Sequence, residues 1–289
     1  MKILIKPILF VTILFSVLSC SLTKIQKKGT VLPESYNHEI EFTTKKTVII
    51  LPAEINGVSK NFLFDTGADF SIIQRDSMIG RVSSVSGATN RKMKMGEEYV
   101  KSIKIGNIDF KNTFAQNGDL EGLKEQIPNF GGIIGQPIIN KGNWLIDYQN
   151  KKLRISNENL ANESFETIEI QRKDGAPYTN ISINGIEYKV VIDFGSSSEF
   201  SLPKESKLAK LLLNKYEFSV NERKRWTIGG LQTEKEKVGT VPLVKLGNME
   251  FKNVSVKIGV QSQPRIGISF FKDCVIYIDN LENNYKINK

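Results

Sequence analysis

The chain has 289 residues, 40% of them hydrophobic, with 40 lysines and arginines against 31 aspartates and glutamates, one histidine and two cysteines. The lone histidine, His38, lies in a polar entry segment, which rules out Ser-His-Asp and Cys-His pairs of the usual kind and any His-rich metal site. The formal net charge of +9 is scattered as single lysines and Lys-Lys pairs, the pattern of a solvated surface and not of a nucleic-acid groove, though it suits contact with anionic membrane or envelope polymers.

Residues 1–19 read as a targeting signal: Lys2 and Lys6 form a basic head, and Pro7 to Leu18 is an apolar run too short and too N-terminal to span a bilayer. The run ends in Val17-Leu18-Ser19-Cys20, which resembles a bacterial lipoprotein box and implies lipid on Cys20; an ordinary secretory signal and an uncleaved anchor are the alternatives. With Cys20 lipidated, Cys274 is the only thiol left, so core burial must supply the stability. Residues 20–37, carrying Lys24, Lys27, Lys28, Gly29 and Pro33, read as a polar tether. Short β-type runs follow. Thr47-Val48-Ile49-Ile50-Leu51 and Phe62-Leu63-Phe64 are joined through Asn56-Gly57, and in the second half Tyr178 to Ile183 and Tyr188 to Ile192 flank Asn184-Gly185 in the same way. Helix is scarce; the candidate is Glu205 to Tyr216, a leucine stripe after Pro203, expected to pack on the outside of the second half. This even succession of strands predicts an all-β fold.

The second half repeats the first. Asn56-Gly57 and Asp65-Thr66-Gly67 recur as Asn184-Gly185 and Asp193-Phe194-Gly195, both at an offset of 128 (184 − 56 and 193 − 65). Ile105-Gly106-Asn107-Ile108 recurs as Leu246-Gly247-Asn248-Met249, and Ile134-Gly135 and Leu145-Ile146-Asp147 recur at an offset of 132 as Ile266-Gly267 and Tyr277-Ile278-Asp279. Matched segments in one order imply two homologous β lobes, residues 38–156 and 167–289, separated by the polar stretch 157–166. Asp147 and Asp279, also matched, precede polar residues and read as turn formers.

Each repeat places an acid on a glycine turn at the end of an apolar strand. One such carboxylate is costly to bury alone, whereas two sharing a proton can be held together and titrate as a pair. Asp65 and Asp193 are therefore the candidate catalytic pair, one taking a proton from water while the other gives one to a peptide carbonyl. Asp193-Phe194-Gly195 also spells a kinase magnesium triplet, but no His-Arg-Asp loop or phosphate-covering glycine loop accompanies it.

Asp65-Thr66-Gly67-Ala68 followed by Gly131-Gly132-Ile133-Ile134-Gly135, with a weaker copy in Asp193-Phe194-Gly195-Ser196 and Arg265-Ile266-Gly267, resembles the retropepsin and pepsin clan of aspartic peptidases. The resemblance implies a bilobal acid-protease fold with the pair on the floor of an interlobe cleft, supported by Thr66, Gly67, Gly195 and Ser196. It implies flap hairpins over Ser83 to Tyr99, with Gly87 at the turn, and over Trp226 to Val241, with Gly229 and Gly230. It also implies a threonine tie between the two acid loops, of which Thr66 keeps its half and Phe194 has lost the other. A buried amide stripped of that partner would cost about 1–3 kcal/mol. Ser196 is expected to donate to Asp193, making Asp193 the charged acid and Asp65 the protonated one.

These residues lead to the expectation of a membrane-anchored aspartic endopeptidase acting on proteins or peptides outside the cytoplasm. The other reading is an inactive lipoprotein that binds peptides or envelope components in the same cleft. No metal, cofactor or nucleic acid is expected, and with both halves in one chain a monomer suffices.

Overall fold

The computed structural model describes residues 24–89, 92–173, 175–227 and 230–289. Cys20, the leader before it and Gly229 lie outside the described residues. The protein is all-β, built from three sheets.

In the first half, the hairpin Val48–Ile55 and Val58–Phe64 turns through Asn56 and Gly57, both at positive φ (49° and 85°), the backbone that a tight two-residue hairpin demands. Its second strand starts exposed and ends in buried Phe62, Leu63 and Phe64, so the chain enters the interior just before Asp65. That strand pairs in parallel with Phe130–Ile134, which pairs antiparallel with Ser71–Gln74. Ser71–Gln74 in turn runs parallel to Ile108–Gly118.

The second half repeats this wiring. Ala176–Ile183 and Ile186–Asp193 turn through Asn184 and Gly185, at φ 53° and 77°. Ile186–Asp193 buries its last four residues, pairs in parallel with Arg265–Gly267, and Arg265–Gly267 pairs antiparallel with Phe200–Pro203, which runs parallel to Met249–Gly259. The duplication read from sequence is thus a duplication of strand pairing.

A third sheet takes strands from both halves: Asn37–Glu41, Lys152–Ser156 and Asn143–Asp147 from one, Val275–Asp279, Asn284–Asn288 and Glu166–Ile168 from the other. The halves meet where Trp144 opposes Ile278 in antiparallel register. Trp144 and Ile278 are fully buried in a core that runs through both halves. Asp147 and Asp279 form turns as expected: Asp147 Oδ1 accepts from the Asn150 amide at 3.0 Å, and Asp279 Oδ1 accepts from the Leu281 and Glu282 amides at 3.1 and 3.0 Å.

Two local expectations change. Part of the tether belongs to the globule: Thr30–Leu32 pairs with Ile108–Gly118, and Gln26 is buried, its Nε2 donating to the Asp69 carbonyl at 2.8 Å. Polar composition concealed this because the contribution is backbone pairing and one amide side chain, neither of which needs an apolar residue. The helix spans Lys207–Lys215, and Ser206, not Pro203, starts it, its hydroxyl accepting from the Ala209 amide at 3.1 Å. Pro203 instead ends the preceding strand; the helix buries Leu208, Ala209 and Leu212. No helix among the described residues is long and apolar enough to cross a membrane.

Candidate active site

Asp65 and Asp193 stand at the ends of the two equivalent strands, and their loops are wired alike. Within each loop the fourth residue's amide returns to the acid's own carbonyl, Ala68 to Asp65 at 3.4 Å and Ser196 to Asp193 at 3.1 Å. The carbonyls of Ala68 and Ser196 then accept from Gln136 and Ile268 at 3.0 and 3.1 Å. Gly135 packs so closely on its loop that a Cβ there would sit 2.6 Å from Phe70 O and 2.8 Å from Ala68 O, which accounts for the glycine after the hydrophobic pair.

The loops face each other. A Cβ on Gly67 would lie 2.9 Å from Asp193 Cγ, and one on Gly195 would overlap the Asp65 carboxyl group. The loops thus bring the two carboxyls face to face, near enough for the charge of Asp193 to act on Asp65. Thr66, fully buried, ties the junction: its Oγ1 donates to the Ile192 carbonyl at 2.8 Å and accepts from the Phe194 amide at 3.0 Å. Phe194 turns its ring the other way, into the core, with its centroid 5.7 Å from that of Phe271 and 6.4 Å from that of Tyr285. Gln136, which no sequence signal picked out, donates to the Thr66 carbonyl at 2.6 Å and so fixes the loop from below.

The electrostatics of the pair are unequal. Asp65 is half-buried on the floor of the cleft, and desolvation first, then the charge of Asp193, holds its carboxyl well above the ordinary 3.8, against the opposing effect of the Gly67 amide, which donates to Oδ1 at 2.8 Å. Burial and the neighbouring carboxyl therefore both favour the protonated form of Asp65. Asp193 is buried and forms an ion pair with Arg265, whose Nη1 donates to Asp193 Oδ2; both side chains are 7% exposed. Ser196 was expected to stabilise the charge on Asp193, but its hydroxyl accepts from the Ser198 amide at 3.4 Å, and the partner of Asp193 Oδ2 is Arg265. Arg265 occupies the slot that Ile133 fills in the first half, at the same offset of 132 as the other matched pairs. A charge in a hydrophobic-hydrophobic-glycine motif was the signal that could have singled it out.

The pair lies in a cleft of about 620 Å³. Leu63, Ile72, Ile127 and Ile133 give it an apolar wall in the first half, while Ser196, Ser197, Ser262 and Gln263 give it a polar one in the second. Over it reaches the hairpin Val82–Ser86 and Lys92–Ile105, with Gly87 just past its first strand and lining the cleft. The carbonyl of Ala88, next to Gly87, accepts from the Ser262 amide at 3.2 Å, the Ser262 hydroxyl at 3.3 Å and Arg265 Nη2 at 3.3 Å. The second hairpin, Phe218–Thr227 and Gly230–Leu246, packs against the short helix Glu121–Lys124 of the first half. It sends Arg223 into the cleft, where Nη2 donates to Ser197 Oγ at 3.2 Å. Gly230 opens the second strand of that hairpin, opposite Thr227. Lys45 and Lys46 stand at the same cleft, and burial first, then Arg223, pulls the Lys46 ammonium below its ordinary value.

Of the residues singled out in sequence, Asp65, Thr66, Gly67, Asp193, Gly195 and Ser196 are thus brought to one point, and Gly87 comes to the hairpin above it. No protein-family model matches this chain, and no curated protein is significantly similar to it.

Proposed function

We propose that the chain is an aspartic endopeptidase of the two-lobed pepsin and retropepsin type, lipid-anchored through Cys20 to a bacterial membrane outside the cytoplasm and active as a monomer. The observation that carries this reading is the meeting of two strand-end acid loops, tied by one threonine and with each loop glycine against the opposite carboxyl, where Asp65 is held toward its protonated form. A dyad with one proton and one charge has the two functions peptide hydrolysis needs. Asp193 takes a proton from water as the water oxygen bonds to the scissile carbonyl carbon, and Asp65 gives its proton to the carbonyl oxygen. In the second step Asp193 returns its proton to the leaving nitrogen as the C–N bond breaks, and Asp65 recovers a proton from the gem-diol. The apolar wall under the first hairpin suits a hydrophobic side chain beside the scissile bond, and the hairpin itself suits a flap over the substrate.

The ion pair of Asp193 with Arg265 favours a second reading, an inert cleft that binds peptides, because a carboxylate held by a guanidinium is a weaker base. Peptide-library cleavage by the soluble chain from Ser21 onward, from acid to neutral pH, separates the two. Cleavage lost in both Asp65→Asn and Asp193→Asn supports the peptidase; equal trace activity in all three proteins rejects it and leaves binding.

A further inference from the structure

Arg265 touches both parts that a flap-covered dyad must coordinate. Its guanidinium reaches down to Asp193 through Nη1 and up to the Ala88 carbonyl of the first hairpin through Nη2, from a side chain only 7% exposed. Arginine suits this double contact because its planar fork holds donors at fixed angles and keeps its charge throughout the accessible pH range. The titratable groups facing it are Asp193 from the second acid loop and Asp65 from the first; the hairpin offers the uncharged Ala88 carbonyl. Its own segment offers Ser262 and Gln263, and Tyr178 donates to Gln263 Oε1 at 2.6 Å. Arg223, Lys45, Lys46 and Asp69 line the same cleft.

We infer that Arg265 is a positioning residue that assigns the charge of the dyad to Asp193 and latches the first hairpin down while that charge is present. The substrate side of this role rests on the proposed peptidase function; the charge assignment and the latch do not. A fixed positive charge beside the pair favours every loss of a proton from it, so removing that charge moves both titration steps to higher pH. Lifting the hairpin to admit a peptide breaks the Arg265 contact with Ala88 and frees Nη2 for an acceptor on the incoming chain.

The test is a carboxyl-carbon NMR titration of the Asp-labelled soluble chain as wild type, Arg265→Met and Arg265→Lys, with amide hydrogen exchange at Ser262 and pH profiles of kcat/KM on the same samples. In Arg265→Met both steps of the dyad should move up by about 1–3 pH units, the scale of an opposite charge at contact distance. The Ser262 amide should exchange about tenfold faster or more, from loss of a charge-assisted hydrogen bond on its acceptor. Arg265→Lys keeps the charge but not the fork, so the titration should stay near the wild-type position while exchange quickens; this variant carries the test if Arg265→Met does not fold. An unmoved titration in Arg265→Met, a titration displaced upward in Arg265→Lys as far as expected for Arg265→Met, or Ser262 exchange unchanged in both variants overturns the assignment. If the wild type cleaves no peptide but the titration and exchange shift as stated, the peptidase reading falls and the role of Arg265 stands.

Discussion

The Thr66 hydroxyl accepts from the Phe194 amide at 3.0 Å and donates to the Ile192 carbonyl, tying one acid loop to the other. Thr66→Val keeps the shape and removes both bonds, leaving a buried amide and carbonyl short of a partner. The expected cost is about 2–4 kcal/mol in denaturant unfolding, with reduced kcat/KM. Restoring the sequence symmetry should not repair the site. Phe194 is fully buried against Phe271 and Tyr285, so Phe194→Thr opens a cavity and should cost about 3–5 kcal/mol.

Asp65 and Asp193 should respond in opposite ways to loss of their carboxyl groups. Asp65 binds its proton more tightly folded than unfolded, so its contribution to stability is full below 3.8 and is lost as pH rises through the higher folded value. Asp65→Asn has no proton to lose, and its Tm should rise relative to wild type as pH climbs from 3.8 to that higher value, then hold. Asp193→Ala strands the buried Arg265 and should lose about 3–5 kcal/mol near neutrality. Thermal unfolding across pH checks both, and a Tm gap for Asp65→Asn that does not widen with pH contradicts the protonation assigned here.

The two loop glycines set the spacing of the carboxyls. Gly195→Ala would drive a Cβ into the Asp65 carboxyl, and Gly67→Ala would place one 2.9 Å from Asp193 Cγ. Each should displace the opposite acid and lower kcat by about 100-fold or more while the circular-dichroism spectrum is kept, with Gly195→Ala the worse.

Cys274 is buried, and that burial pushes its thiol up to about 11. In the soluble chain from Ser21 it should resist a thiol reagent at about pH 8 until the protein unfolds, because the thiolate is the reactive form. Its labelling rate in denaturant is then a probe of global opening.

Much of the architecture was legible because its signals are local. Asn56-Gly57 and Asn184-Gly185 announce hairpins by turn chemistry, apolar runs ending in Asp65 and Asp193 announce strands that enter a core, and the repeat of their order announces two copies of one strand pairing. The leucine stripe that marks the helix is equally local, although its start was misplaced because Pro203 offered a generic cue and Ser206 the actual cap.

What the chain order could not convey is which side chains meet across 72 or 128 positions. Whether Phe194 would loosen the acid loops depended on where its ring points, and the ring joined the core while the backbone amide kept the tie to Thr66. Gln26 looked like tether and packs as part of the globule. Arg265 looked like a flaw in a hydrophobic motif; parallel pairing with Val191 brings it beside Asp193, and the first hairpin brings Ala88 onto it. By itself the sequence determined the strands, the turns, the duplication and the two acids, since these follow from short-range preference and apolar periodicity. Only the tertiary structure decided what holds the charge of Asp193, since the partner is not the neighbouring Ser196 but a cation delivered from a distant strand.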